Sequence, residues 1–203
     1  MSFHRLDETQ KDLLRELSNI GMGHAATALS RMVGRTLMLE VPEVRVVDLP
    51  EVPALVGGPE REVAGVVLRL EGDASGHMLL VLDEGDAAVL VGLLLGAAGG
   101  DLDSDLGRSA LQELANVIGS CYLSVLGDML RLDLRPSVPF LAIDMAGAVV
   151  DQILGELGQT GDLALLLVTR FACPEAQEVR GHLFLLPDPE TLEVLLRAAG
   201  GGR

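Results

Sequence analysis

Two Glu–Asn pairs of identical spacing stand out among the residues that could do chemistry. Glu16 precedes Asn19 by three positions, and Glu113 precedes Asn116 by three. Residues three apart on a helix are neighbours, so each pair can reach one external point. Glutamate alone could act as a general base, but no second carboxylate, histidine or nucleophile accompanies it at both sites. Asparagine does not transfer protons at neutral pH, although its amide can orient a water or hold a polar group.

The chemistry that suits such a pair is phosphoryl transfer. In that reaction, positioning the attacking water is a large part of catalysis. The pairs therefore favour a protein that inserts an amide into the active site of a partner.

Each pair belongs to a longer pattern that occurs twice, at an offset of 97 residues. The first copy has Asp12 four positions before its glutamate, and Pro42 follows its asparagine after a gap of twenty-two residues. Ser109 and Pro139 hold the same positions in the second copy. Several leucines repeat at the same offset, which indicates an internal duplication.

A single Glu-x-x-Asn on a helix is typical of an ordinary solvated surface. A capping or inter-helix hydrogen bond could also be inherited twice. Glu, Asn and Pro keep identical spacing while most of their neighbours differ. This retention favours the functional interpretation.

Helical periodicity predicts that each pair lies on a long helix, over residues 7–33 and about 104–131. Asp7 is the expected N-cap of the first helix. The motif residues should face outward. The residues of the first helix expected to face inward are Leu13, Leu17 and Ile20. Met32 is expected in the core.

Alternating apolar residues predict one hairpin in each copy, Val63–Leu70 with Gly76–Leu82 and Leu163–Phe171 with Val179–Leu186. A short helix precedes each hairpin and another helix follows it. Each half therefore reads helix, strand, short helix, hairpin, helix.

The predicted fold class is α+β: an internally duplicated pseudo-two-fold domain with an antiparallel sheet and two long motif-bearing helices. We expect one domain over residues 1–203, composed of two repeats at about 7–98 and 104–199.

Composition narrows the classes of partner and site. A formal net charge of -15 argues against nucleic acid and anionic lipid, which attract clustered Lys and Arg. Cys121 and Cys173 form no CxxC or Cys/His cluster, which fits a reducing compartment and argues against structural zinc. The N-terminus lacks an apolar signal core, and no apolar stretch is long enough to span a bilayer. We therefore expect a cytoplasmic protein.

The motif resembles that of a known family. Asp or Ser, then Glu, Asn and Pro at these spacings are the signature of the CheC, CheX and FliY phosphatases, which dephosphorylate the chemotaxis response regulator CheY. The resemblance covers essentially the whole chain. Two intact motifs in one chain of this length resemble the CheC type, because CheX is a dimerising single-motif version and FliY carries an additional C-terminal domain.

The resemblance implies roles for both pairs in two-component signalling. Asn19 and Asn116 would enter the acid pocket of the regulator and align water on its aspartyl phosphate. Glu16 and Glu113 would pair with the active-site lysine of the regulator. Magnesium would belong to the regulator, and no cofactor is expected in this chain.

The other motif positions receive less definite roles from the resemblance. Asp12 and Ser109 hold a position where the family accepts either residue. Pro42 and Pro139 look structural, each fixing a strand end behind its helix. The receptor deamidase CheD is implied as a further partner, although no motif places that contact.

Two other functions stay open at this point. The chain could be a binding module that docks on a response regulator, CheD or the flagellar switch without catalysis. A small-molecule enzyme is the third class, and it lacks support because the sequence has no clustered nucleophile, metal set or phosphate loop.

Overall fold

The computed structural model describes residues 8–97, 99–157, 163–173, 178–191 and 193–194. Asp7, the expected helix cap, lies outside these residues. Among the helices of the described ranges, none has the length and apolarity needed to cross a membrane.

The chain alternates long helices with antiparallel strands, and its element order repeats. The first half contains α1 (Glu8–Val33), β1 (Met38–Asp48), a 3-10 turn (Leu49–Glu51), α2 (Val52–Leu55), β2 (Glu62–Gly72), β3 (Gly76–Asp83) and α3 (Glu84–Leu95). The second half contains α4 (Asp105–Leu130), β4 (Leu134–Pro136), β5 (Phe140–Met145), α5 (Ala146–Leu157), β6 (Leu163–Ala172) and β7 (Val179–Pro187). The helix predicted after Asp188 lies largely outside the described residues. The predicted α+β class and both hairpins are confirmed.

The seven strands form one sheet through an exchange between the two halves. Its order is β1-β6-β7-β3-β2-β4, with β5 also paired to β2. The first strand of each half thus pairs with the hairpin of the other half. The two hairpins meet at the centre, where Leu79 of β3 pairs with Phe184 of β7. The order corresponds from either end, as the predicted pseudo-two-fold arrangement requires, whereas the limits of the two repeats stay a prediction.

Alternation along the strands divides the core between the two faces of the sheet. Met78 and Leu80 of β3 belong to the larger cluster, which also contains buried residues of α1, α3 and α4. Leu79 and Val81 belong to a smaller cluster on the opposite face, together with residues of α2 and α5. Both long helices therefore cover the same face of the sheet, with their outer surfaces exposed.

Local signals fix the beginnings of two helices. The Asp83 carboxylate accepts a hydrogen bond from the Gly85 N–H at 3.0 Å at the start of α3. The Ser104 hydroxyl accepts one from the Gly107 N–H at 3.0 Å at the start of α4. Each cap satisfies a backbone donor that the first helical turn leaves unpaired.

The two long helices pack closely against each other at Gly21. A Cβ atom at this position would lie 3.1 Å from the Tyr122 Cα of α4, so the absence of a side chain permits the contact. Tyr122 is buried, and burial raises its pKa to about 12 although a hydrogen bond to Ser18 opposes the rise. Ser18 and Tyr122 thus join the helices through a polar contact inside the apolar core.

This close packing corrects the predicted inward face of α1. Ile20 is exposed, and Leu13 and Leu17 are only partly buried. The buried residues of α1 are Leu14, Ser18, Gly21, Met22, Ala25 and Leu29. Small residues occupy this face because α4 comes so near. The core position expected for Met32 is also wrong, since its side chain is 56% exposed.

Candidate functional site

The structure places each Glu–Asn pair on the outer surface of a long helix. On α1, Glu16 and Asn19 are both exposed. On α4, Glu113 is exposed and Asn116 is partly exposed. Each glutamate is one helical turn before its asparagine, so both side chains are accessible to an approaching partner.

In the first repeat, the Asn19 amide is bonded to the protein's own backbone. Asn19 Nδ2 donates to the carbonyls of Arg15 at 2.9 Å and Val41 at 3.2 Å. The Val41 N–H donates to Asn19 Oδ1 at 2.8 Å. The side chain therefore satisfies both backbone groups of Val41.

The strand break at Val41 explains this bonding. The pairing of β1 with β6 shifts register between Glu40 and Glu43, as in a β-bulge. Backbone groups in such a break lose their ladder partners and need others. Pro42, which has no N–H to pair, occupies the same break. β1 is therefore one continuous strand with a bulge at Pro42.

The second repeat makes the equivalent link with a different side chain. Gln112 Nε2 donates to the Pro139 carbonyl at 2.9 Å. Asn116 Nδ2 instead donates to Glu113 Oε2 at 3.4 Å, a long contact. Within the part of the chain that the structure describes, this is the only side-chain hydrogen bond of Asn116.

The strand segment beside the second pair is also more open. Pro139 lies between β4 and β5, so one strand of the first repeat corresponds to two in the second. Val138 precedes Pro139 as Val41 precedes Pro42, yet Val138 is 88% exposed whereas Val41 is 1% exposed. The two sites therefore share their residues but differ in the bonding of the asparagine.

The first motif positions also differ in their contacts. The Asp12 carboxylate forms an ion pair with Arg15 at 2.9 Å. Both side chains are exposed, so the pair contributes little stability. Ser109 is an exposed hydroxyl residue one turn before Glu113. Ser109 and Gln112 carry no charge, so the second repeat cannot form the ion pair that Asp12 and Arg15 form in the first.

The remaining candidate groups lie apart from the pairs. His77 and His182 are partly buried and lie two residues from Leu79 and Phe184, on the face of the sheet that α2 and α5 cover. His182 stacks on Phe184 with ring centroids 6.3 Å apart, and burial, aided by Arg45, lowers its pKa. Burial raises the pKa of the Cys121 thiol, which disfavours the reactive thiolate. Across the described ranges, no group of three or more His, Cys, Asp or Glu could hold a metal ion.

Sequence reasoning missed the residues that link the helices to the strand breaks. Gln112 makes this link in the second repeat, whereas Arg15, at the same position of the first repeat, pairs with Asp12 and leaves the link to Asn19. The sequence could have drawn attention to Val41, because this residue immediately precedes the motif proline, Pro42. The Val41 backbone groups need a side-chain partner only because of the register break, which the sequence does not reveal.

Comparison with solved structures defines the class of fold. The chain matches the crystal structure of Thermotoga maritima FliY with a TM-score of 0.77 and 21% identity, over 96% of this chain and 98% of that chain. It matches a chain of the CheX-CheY-BeF3-Mg+2 complex from Borrelia burgdorferi with a TM-score of 0.50 and 12% identity, over 83% of this chain and 96% of that chain. The fold is therefore that of the FliY and CheX class.

Sequence comparison then identifies the family. A model of the CheC-like family matches residues 10–46, a range that includes Glu16, Asn19 and Pro42. The chain is 38% identical over 204 residues to the CheY-P phosphatase CheC of Bacillus subtilis, covering 98% of this chain and 97% of that protein. The chain belongs to the CheC-like family.

Proposed function

We propose that this protein is a phosphatase that hydrolyses the aspartyl phosphate of a CheY-like response regulator in chemotaxis signalling. The observation that carries the proposal is its 38% identity, over nearly its whole length, to the CheY-P phosphatase CheC. The exposed Glu–Asn pairs supply side chains suited to such a reaction.

The proposed reaction follows from the chemistry of the second pair. The Asn116 amide enters the acid pocket of the regulator and orients a water for in-line attack on phosphorus. The water oxygen bonds to phosphorus, the bond between phosphorus and the aspartyl oxygen breaks, and aspartate and inorganic phosphate result. The Glu113 carboxylate pairs with the regulator's lysine and holds the two proteins in register.

Glu16 and Asn19 have the same roles at the first site, but their starting state differs. Asn19 must release both hydrogen bonds to Val41 before its amide can enter a partner. Asn116 has only the long contact to Glu113 to release. We therefore assign most of the activity to the second site.

The supporting motif residues act through these helices. Pro42 and Pro139 occupy the strand breaks next to the pairs. Asp12 and Ser109 lie one turn before the glutamates, at the edge of each proposed contact surface. They are positioning residues rather than groups that touch the phosphoryl.

The regulator also supplies the setting of the reaction. Magnesium is held by the regulator, and this chain uses no cofactor of its own. The net charge of -15 favours a partner surface that carries lysine over nucleic acid or an anionic membrane. We place the protein in the cytoplasm, where such a regulator acts, with CheD as a second partner.

A variant with Asn19→Ala and Asn116→Ala tests the proposal. Phosphate release from the phosphorylated regulator should fall to the rate of the regulator alone, while binding measured by pull-down persists. Unchanged release would contradict the proposal. Wild-type binding without any acceleration would instead select the binding-module function.

A further inference from the structure

An apolar groove lies beside the second Glu–Asn pair. It forms where the ends of α1 and α3 meet the start of α4, and it has a volume of about 190 Å³. Met32, Leu95 and Leu106 line it, together with Ser109 and Glu113. Met32 is 56% exposed and Leu106 is 64% exposed. Large apolar side chains clustered at a surface mark an interaction site more often than single exposed ones do.

The groove is continuous with the second site along one face of α4. Leu106, Ser109 and Glu113 are spaced three and four residues apart, the spacing of neighbours on a helix surface. At about 1.5 Å per residue, Leu106 lies roughly 10 Å along the helix from Glu113. A partner whose lysine meets Glu113 can therefore reach the groove with a side chain about 10 Å away.

We propose that this groove receives an apolar side chain of the phosphorylated response regulator and thereby sets substrate affinity at the second site. The inference rests on the proposed phosphatase function. The occupant is a surface that carries an apolar side chain about 10 Å from a lysine. An apolar cavity of about 150 Å³ can hold benzene, so the groove has room for one such side chain.

The first repeat lacks an equivalent of Leu106, the most exposed apolar residue of this groove. Thr9 holds the position in α1 that Leu106 holds in α4, at the same offset of 97 residues. Met32 comes from α1 itself, so α1 contributes its far end to the groove of the second site. The two sites therefore differ in docking as well as in the bonding of asparagine.

The test uses an Asn19→Ala background, in which the second site carries the catalysis. Leu106→Gln and Met32→Gln are each introduced there, and phosphate release is measured against the concentration of phosphorylated regulator. Each should raise KM about tenfold with kcat changed less than twofold, which corresponds to about 1.4 kcal/mol of lost binding. The Kd for the beryllofluoride-activated regulator should rise by the same factor.

Met145→Gln is the matched control, because Met145 is 47% exposed and lies on β5, which contributes no residue to the lining of the groove. It should leave KM and Kd unchanged. Unchanged KM in both groove variants, a fall in kcat alone, or an equal effect of Met145→Gln would overturn the proposal. Thermal melting shows whether any variant unfolds, and Leu106→Gln is the less disruptive change since Leu106 is the more exposed residue.

The same experiment separates this proposal from the phosphatase function. Absence of phosphate release by the wild-type protein would refute the function. Phosphate release that persists in the Asn19→Ala background, with a KM that neither groove substitution changes, would refute only the docking role.

Discussion

Replacing Asn19 by alanine should mainly cost stability, whereas replacing Asn116 should mainly cost activity. Asn19 exchanges hydrogen bonds of 2.8 and 3.2 Å with the backbone of Val41, a residue whose surroundings exclude most water. Each bond contributes about 0.5–1.5 kcal/mol net, so we expect Asn19→Ala to lower the free energy of unfolding by roughly 1–3 kcal/mol. Asn116→Ala removes one long, exposed contact and should change the free energy of unfolding by less than about 0.5 kcal/mol.

The same bonds set the expected difference in catalysis. If Asn19 must lose about 1–3 kcal/mol of bonding before it can act, the first site is roughly 5- to 150-fold weaker than the second. Asn116→Ala should then remove most of the phosphate release, while Asn19→Ala should reduce it less than twofold. Each variant serves as the control for the other, because both make the same Asn-to-Ala change on a long helix.

Two assays on the same samples check this dissociation. Urea unfolding gives the free energy of unfolding, and phosphate release from the phosphorylated regulator gives the activity. Equal losses of activity in the two variants, or equal stabilities, would refute the reasoning from the Val41 bonds.

Three further predictions concern the scaffold. Gly21→Val should destabilise the protein by about 1–3 kcal/mol in urea unfolding, because its side chain meets the Tyr122 backbone; Gly23→Val, where a Cβ meets nothing within 4 Å, is the control. Ser104→Ala should cost about 1 kcal/mol through loss of the α4 cap, and equal stability with the wild type would contradict that role. Tyr122 is the only tyrosine, so its ionisation can be followed by ultraviolet absorbance: it should ionise near pH 12 in the folded protein and near pH 10 in urea. Because the folded state keeps the proton longer, stability should fall as pH rises from about 10 towards 12, and Tyr122→Phe should remove that dependence.

The sequence predicted the elements well because their signals are local. Asp83 and Ser104 mark helix starts, and the alternating residues of each hairpin lie close together in the chain. The inward face of α1 was wrong because the prediction followed the leucines. The actual face uses Ser18, Gly21 and Ala25, whose small size matters only once α4 supplies Tyr122.

The arrangement of the two sites was less accessible from the sequence. The exchange of first strands between the halves depends on pairings between residues far apart in the chain, such as Val44 with Leu167 and Leu70 with Pro136. The matching spacing of the two motifs left open whether the two sites are equally active. In the first repeat Asn19 bonds to Val41 at the register break, and in the second Gln112 bonds to Pro139 instead; both contacts join residues that are far apart in the chain.

The most direct test of the phosphatase function is the decay of a phosphorylated CheY-like regulator measured alone, with the wild-type protein, and with the Asn19→Ala, Asn116→Ala double variant. We predict that the wild type accelerates decay severalfold or more and that the double variant, though it still binds, leaves the rate at that of the regulator alone. Acceleration that survives in the double variant would contradict the assignment of the asparagines.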